Sequence, residues 1–148
     1  MRVPHPRRPP SFRLADTAQQ VVGGFLLAGP FVVTEEVWVL AASMSSLQGA
    51  ATVGIVFAIG YATLYTADSR RDPTVEREVS GVPLRFVSLM GVSFGSVIIL
   101  ALLFDAPWTF LDPAETGESV LATSAKAVSV GSVFSVVGAA TADSVFSK

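Results

Sequence analysis

Residues 83–104, PLRFVSLMGVSFGSVIILALLF, contain a single charged side chain, Arg85. A helix of this length rises about 33 Å, which is enough to cross a bilayer core of about 30 Å. Pro83 suits the first turn of a helix. Arg85 lies near the start of the stretch, where its long side chain can reach the lipid headgroups. The stretch therefore predicts a transmembrane helix.

Three more apolar stretches, 18–44, 48–66 and 119–142, have the same character. The first is longer than a bilayer requires, and we expect it to break at Gly29-Pro30, because proline removes a backbone hydrogen bond and crowds the preceding turn. The sequence predicts an all-α polytopic membrane protein in which residues 18–148 form a bundle of four transmembrane helices.

Composition supports this class. The 148 residues are 51% hydrophobic and only 15% charged, and their mean hydropathy is +0.57, which is typical of a protein embedded in a bilayer. A net charge of -2 gives no reason to expect a nucleic-acid partner. Without cysteine, and with His5 as the only histidine, the chain cannot build thiolate metal sites or a Ser-His-Asp triad. We expect no enzyme activity, no metal and no cofactor.

The segments outside the spans are polar. Residues 1–17 form a basic, proline-rich leader, residues 67–82 a charged connector, and residues 105–118 an acidic loop whose Trp108 and Phe110 suit a membrane surface. A secretory signal is an alternative reading of the first apolar run. It is disfavoured because Glu35, Glu36 and Trp38 follow where small neutral residues should stand.

Basic residues indicate the orientation. Nine of the ten Lys and Arg side chains lie in the leader, in or beside the connector, or at the C-terminus. Positive residues favour the cytoplasmic side, so both termini are predicted to be cytoplasmic. The expected location is the cell membrane, with the lipid bilayer as the main partner.

The tenth basic residue, Lys126, lies inside a span, as do the adjacent Glu35 and Glu36. A charge at a helix centre costs about 2.5 to 3.5 kcal/mol, so such residues usually face the protein interior, a partner charge or water. With Thr34, they are the candidate ion or proton pathway. Lys126 could pair with a carboxylate or share an aqueous pocket with it. It could instead extend towards the outer surface without meeting either acid.

Small residues mark candidate helix-packing positions. Gly91 and Gly95 form a GxxxG pair, and Gly131, Ser135 and Gly138 follow one face of the last span. Such residues allow close approach of membrane helices. Together with the small size of the bundle, they suggest a homo-oligomer.

The pattern Pro30-x-x-x-Thr34-x-Glu36-x-Trp38, behind Gly23-Gly24-Phe25-Leu26-Leu27, resembles a prokaryotic integral membrane family called domain of unknown function 2391. The resemblance runs from about Ala15 to Phe146. It implies a shared acidic position at Glu36, an apolar residue in relatives where Glu35 stands, and a membrane location without a stated activity. Some relatives are longer, which implies that this chain is a short form completed by association.

Two functions fit these features. The first is a small helical bundle that acts as a scaffold or regulatory membrane subunit. The alternative is a proton- or cation-conducting channel or transporter that uses the carboxylates of the first span. The middle of the second span lacks polar positions, which weakens a pore within one protomer and leaves a pore between protomers open.

Overall fold

A computed structural model of the chain describes residues 14–66, 78–79 and 82–146. Within them the fold is helical, with one two-stranded antiparallel hairpin. The elements are α1 (Leu14–Val32), α2 (Glu35–Ser43), α3 (Ser46–Tyr61), β1 (Glu78–Val79), β2 (Val82–Pro83), α4 (Leu84–Leu103), α5 (Ala106–Phe110) and α6 (Gly117–Phe146). The predicted leader up to residue 13, nearly all of the predicted connector and Lys148 lie outside the described residues.

Three stretches are long and apolar enough to cross a membrane, Ser46–Tyr65, Leu84–Leu103 and Gly117–Val145, and α1 with α2 makes a fourth candidate if the bent pair is one span. The predicted all-helical class is confirmed, together with apolar helices suited to a membrane. The presence of four spans and the cytoplasmic position of both termini remain predictions.

The first span differs from its prediction. α1 begins at Leu14, inside the predicted leader, and continues past Pro30 to Val32. The chain then turns by 79° into α2. Proline is tolerated in membrane helices where neighbouring helices pack around it, and Pro30 lies in the last turn of α1. The break therefore falls at residues 33–34 and not at Gly29-Pro30.

Side-chain hydrogen bonds hold this bend. Thr34 Oγ1 donates to the Phe31 carbonyl at 2.8 Å, and Trp38 Nε1 donates to the Val32 carbonyl at 2.9 Å. Both carbonyls lie in the last turn of α1, beyond which the helical hydrogen bonds end, and the Phe31 carbonyl also accepts from the Thr34 backbone N–H at 3.2 Å. The end of α1 is thus closed by residues of the segment that follows it.

α1, α4 and α6 form the centre of the bundle, and α3 packs mainly on α6. α1 and α6 approach so closely that a Cβ atom placed on Gly23 or Gly138 would overlap the other helix's backbone. Two clusters of buried apolar side chains fill the core, one around Trp38 and Val97 at the α5 end and one around Leu64 and Leu89 at the opposite end.

The short connections have local causes. Ser45 and Gln48 form a reciprocal capping box at the start of α3, which satisfies two backbone donors of its first turn. α3 continues beyond Tyr61 as a π-helical stretch, Ala62–Thr66. Asp105 adopts a left-handed backbone conformation, with φ of 58°, and turns the chain from α4 into α5. Asp adopts this conformation more readily than most other residues do.

Candidate functional site

A cluster of buried charges joins the three central helices. The Arg85 side chain lies between two carboxylates, with Nη1 2.8 Å from Asp143 Oδ1 and Nη2 3.4 Å from Asp16 Oδ2. The three residues are 1%, 0% and 2% exposed. Arg85 comes from α4, Asp16 from α1 and Asp143 from α6, so the guanidinium connects all three helices. We call these residues the Arg85 cluster.

Neutral polar side chains extend the Arg85 cluster. Gln20 Nε2 donates to Asp143 Oδ2 at 3.4 Å, and Ser88 Oγ donates to Gln20 Oε1 at 2.7 Å. Thr17 Oγ1 lies 3.2 Å from Ser88 Oγ. Because Ser88 gives its single hydroxyl proton to Gln20, Thr17 is the donor in that contact. The network therefore connects α1 to α4 by hydroxyl and amide groups as well as by charge.

The positions of the three charges along their helices explain why the charges pair. Asp16 in the first turn of α1 is favoured by the partial positive charge there. Arg85 near the start of α4 and Asp143 near the end of α6 each oppose the helix dipole. Their 2.8 Å contact is a charge-assisted hydrogen bond, which offsets both unfavourable positions.

The two predicted carboxylates lie elsewhere. Glu35 and Glu36 form the first turn of α2, directly after the bend, and both are exposed. They line a surface depression of ≈ 400 Å³ together with Val39, Leu40 and Ser43. The sequence predicted them well inside the first span, after a break at Gly29-Pro30. The structure places them at the bend itself, where an acidic side chain suits a helix N-terminus.

Lys126 does not bind either of these acids among the described residues. Its Nζ donates to the Met44 carbonyl at 2.7 Å, and Met44 is the residue that ends α2. The stem of Lys126 lies against Gly49 of α3. A cation at the C-terminus of a helix is favoured by the dipole and satisfies an orphan carbonyl. Lys126 thus connects α6 to the corner between α2 and α3.

The predicted packing residues fall into two groups. Gly131 of α6 lies against Val97, Gly138 lies against Gly23, and Ser135 Oγ donates to the Gly24 carbonyl at 3.2 Å. A Cβ atom on Gly91 or Gly95 would meet nothing within 4 Å. The α6 residues therefore pack inside the bundle, whereas the GxxxG pair of α4 faces outward.

Charges mark two boundaries of the bundle. Along α4, Arg85 and Asp105 are about 30 Å apart, and along α6, Lys126 and Asp143 are about 26 Å apart, at a rise of 1.5 Å per residue. No charged residue lies between these positions in either helix. This spacing matches a hydrocarbon core of about 30 Å. The Arg85 cluster therefore lies at one end of this charge-free length and Lys126, with the α2–α3 corner, lies at the other; we call these two ends the boundaries of the bundle.

The Arg85 cluster was not predicted from the sequence. Arg85 was expected to reach the headgroups, and Asp16 and Asp143 lie just outside the predicted spans, yet all three side chains are buried. One signal was available: the predicted threading brings residues 16, 85 and 143 to the same end of the bundle. Opposite charges at one end of adjacent helices are expected to pair when they are buried.

Trp38 is fully buried in the bundle. Within the described residues, no group of three or more His, Asp or Glu side chains could hold a metal ion. Comparison with protein families, with curated proteins and with solved structures gave no match for this chain.

Proposed function

We propose that the chain is a multi-pass protein of the cell membrane that works as a scaffold or regulatory subunit, without catalytic activity of its own. The Arg85 cluster carries the proposal. Its charged groups bind one another across three helices. This arrangement is better suited to fixing the positions of the helices than to exchanging ions. We place both termini on the cytoplasmic side, following the basic residues.

Hydroxyl groups of the core support the same reading. Each of four buried serines donates to the carbonyl four residues earlier in its own helix, at 2.6 to 2.8 Å: Ser93, Ser96, Ser129 and Ser132. A hydroxyl bound in this way satisfies its donor without a neighbouring helix or water. These serines therefore act as small packing residues, which fits a closed bundle.

A proton or cation pathway is the second candidate. It rests on the exposed depression that Glu35 and Glu36 share at the bend of a candidate span. Broken helices and acidic side chains line transport paths in other membrane proteins. The support is weaker, because both carboxylates lie at the boundary of the bundle and not in its middle.

The deciding experiment is flux in proteoliposomes. The unmodified protein is compared with Glu36→Gln while a pH-sensitive dye reports imposed potassium, sodium and proton gradients under both polarities of potential. The scaffold proposal expects dye traces equal to those of protein-free vesicles, with an added ionophore as the positive control. A flux that Glu36→Gln abolishes would establish the transport alternative.

We further propose that the chain forms a homo-oligomer and belongs to the family it resembles at Pro30, Thr34, Glu36 and Trp38. The outward position of Gly91 and Gly95 supports the first point, since it leaves a surface that a second copy can approach closely. Gly95→Leu should then weaken the assembly more than Leu100→Ala. Detergent-corrected mass measurement in lipid discs tests this, and monomers throughout would contradict it.

A further inference from the structure

α1 and α4 lie side by side over their whole lengths. Near their starts, Asp16 of α1 contacts Arg85 of α4. Near their ends, a Cβ atom placed on Gly29 would lie 3.9 Å from a methyl group of Leu100. Gly29 stands three residues before the end of α1, and Leu100 stands three residues before the end of α4. The two helices therefore begin and end at the same levels.

α1 is long enough to cross a bilayer by itself. Its 19 residues rise about 28 Å, close to the hydrocarbon thickness of about 30 Å. The sequence has no charged residue between Asp16 and Glu35. Because α1 ends level with α4, which is itself a candidate span, α1 reaches the second boundary of the bundle without the help of α2.

α2 leaves α1 almost at a right angle. After the turn of 79°, the nine residues of α2 form a helix about 13 Å long that advances only about 3 Å along the direction of α1. A straight continuation would carry the chain the full 13 Å. α2 therefore lies across the end of the bundle, at the level where α1 and α4 end.

Contacts at the middle and at the end of α2 hold it in this position. Trp38 is fully buried, and the centroid of its ring lies 6.3 Å from that of Phe110 in α5. Where α2 ends, the Met44 carbonyl accepts a hydrogen bond of 2.7 Å from Lys126 Nζ of α6. The helix is thus fixed against α5 and α6 along the boundary of the bundle.

The exposed face of α2 mixes charged and apolar side chains. Glu35, Glu36 and Ser43 are exposed, and so are Val39 and Leu40, at 59% and 51%. Hydrocarbon would leave the carboxylates unsolvated, whereas bulk water would leave the aliphatic side chains without apolar contacts. Helices that lie in the headgroup layer satisfy both kinds of side chain, because water and polar groups there adjoin the acyl chains.

We infer that α1 alone crosses the membrane and that α2 is an in-plane helix in the headgroup layer at the Lys126 boundary, where its exposed face contacts glycerolipid headgroups. The inference rests on the proposed membrane location, and it is independent of the choice between scaffold and transport. It also explains why two carboxylates stand in an otherwise apolar run of sequence: they lie at the membrane surface.

Depth measurements test this position. The chain has no cysteine, so the single variants Glu36→Cys and Ser43→Cys can each carry one nitroxide label in reconstituted bilayers. Their depth follows from electron paramagnetic resonance with oxygen and a nickel chelate as relaxing agents. We expect both labels at the level of the headgroups, within about 3 Å of each other, because seven residues of α2 advance so little along α1.

α3 offers the matched control. Ala51 and Ala58 are also exposed and also seven residues apart, but they lie in a candidate span. Labels at Ala51→Cys and Ala58→Cys should differ in depth by about 10 Å. All four positions are exposed, so each label can be accommodated without displacing buried side chains.

The outcomes separate this inference from the membrane location on which it rests. A depth difference near 10 Å between the two α2 labels would show that α2 enters the membrane and would overturn the inference. Two labels at equal depth in the hydrocarbon, or both in bulk water, would equally exclude contact with headgroups. Equal depths for the two α3 labels would instead contradict the proposed membrane crossing, and the position of α2 would fall with it.

Discussion

At the scale of single residues, Arg85 determines how three helices meet. Its guanidinium contacts acids that lie 69 residues earlier and 58 residues later in the chain. Replacing one member of a buried ion cluster is more harmful than replacing the whole cluster, because the remaining charges stay buried without their counter-ion.

Arg85→Met should therefore lower the free energy of unfolding by about 3 to 5 kcal/mol. The triple variant Asp16→Asn, Arg85→Met, Asp143→Asn should recover part of that loss. Unfolding of both proteins and the parent in mixed micelles, with increasing mole fraction of SDS, measures the difference. Equal stability of the single and triple variants would show that the charges do not act together.

Lys126 gives a second prediction at this scale. Since its Nζ binds the Met44 carbonyl, Lys126→Met should cost about 1.5 to 3 kcal/mol, the range for a hydrogen bond to a charged group. The cost should be the same in a background with Glu35→Gln and Glu36→Gln, because effects of sites that share no contact add. A double-mutant cycle by SDS titration measures this. A coupling above about 0.5 kcal/mol would instead favour an ion pair between Lys126 and these acids.

At the scale of helices, the contact between α1 and α6 depends on the absence of side chains. Gly138→Ala should destabilise the bundle by about 1 to 3 kcal/mol, because its new methyl group would displace the backbone of α1 at Gly23. Gly91→Ala is the matched control, since open space surrounds that position. Thermal unfolding in one detergent compares them, and a similar loss for both would contradict the assigned packing.

Helix positions follow from the sequence more directly than the bend does. Long apolar stretches with at most one charge identify α3, α4 and α6, because every backbone group must be paired inside a bilayer and an apolar helix achieves this locally. The bend after α1 depends on Trp38 returning to the Val32 carbonyl, a contact that depends on tertiary packing. Pro30 is the stronger local signal, yet the helix continues past it.

The candidate site was harder to predict than the fold. Residues 16, 85 and 143 each stand at the edge of a predicted span, where a charge is usually solvated. Only the packing of three helices shows that their side chains converge. Glu35, Glu36 and Lys126 were predicted as the candidate site because they interrupt apolar runs. The sharp bend after α1 moves the two acids to the boundary.

At the scale of the whole molecule, threading can be tested with single cysteines, because the chain has none to remove. Cysteines at Ser46 and Ser119 should react with an impermeant thiol reagent in intact cells, and a cysteine at Ser80 should react only after the cells are opened. This follows from the basic residues around the predicted connector. Labelling of the cysteine at Ser80 in intact cells, without labelling of the other two cysteines, would show that the orientation is opposite to the predicted one.

The Arg85 cluster also sets an order of events during biosynthesis. Its members come from the first, middle and last parts of the chain, so α1 and α4 are synthesised before Asp143. Until then, Arg85 has a carboxylate from α1 but lacks the closer one from α6. Completion of the last helix is therefore the step that locks the bundle. A chain that stops before α6 keeps this cation near the bilayer without its closest acid, a state that membrane proteases and chaperones can recognise.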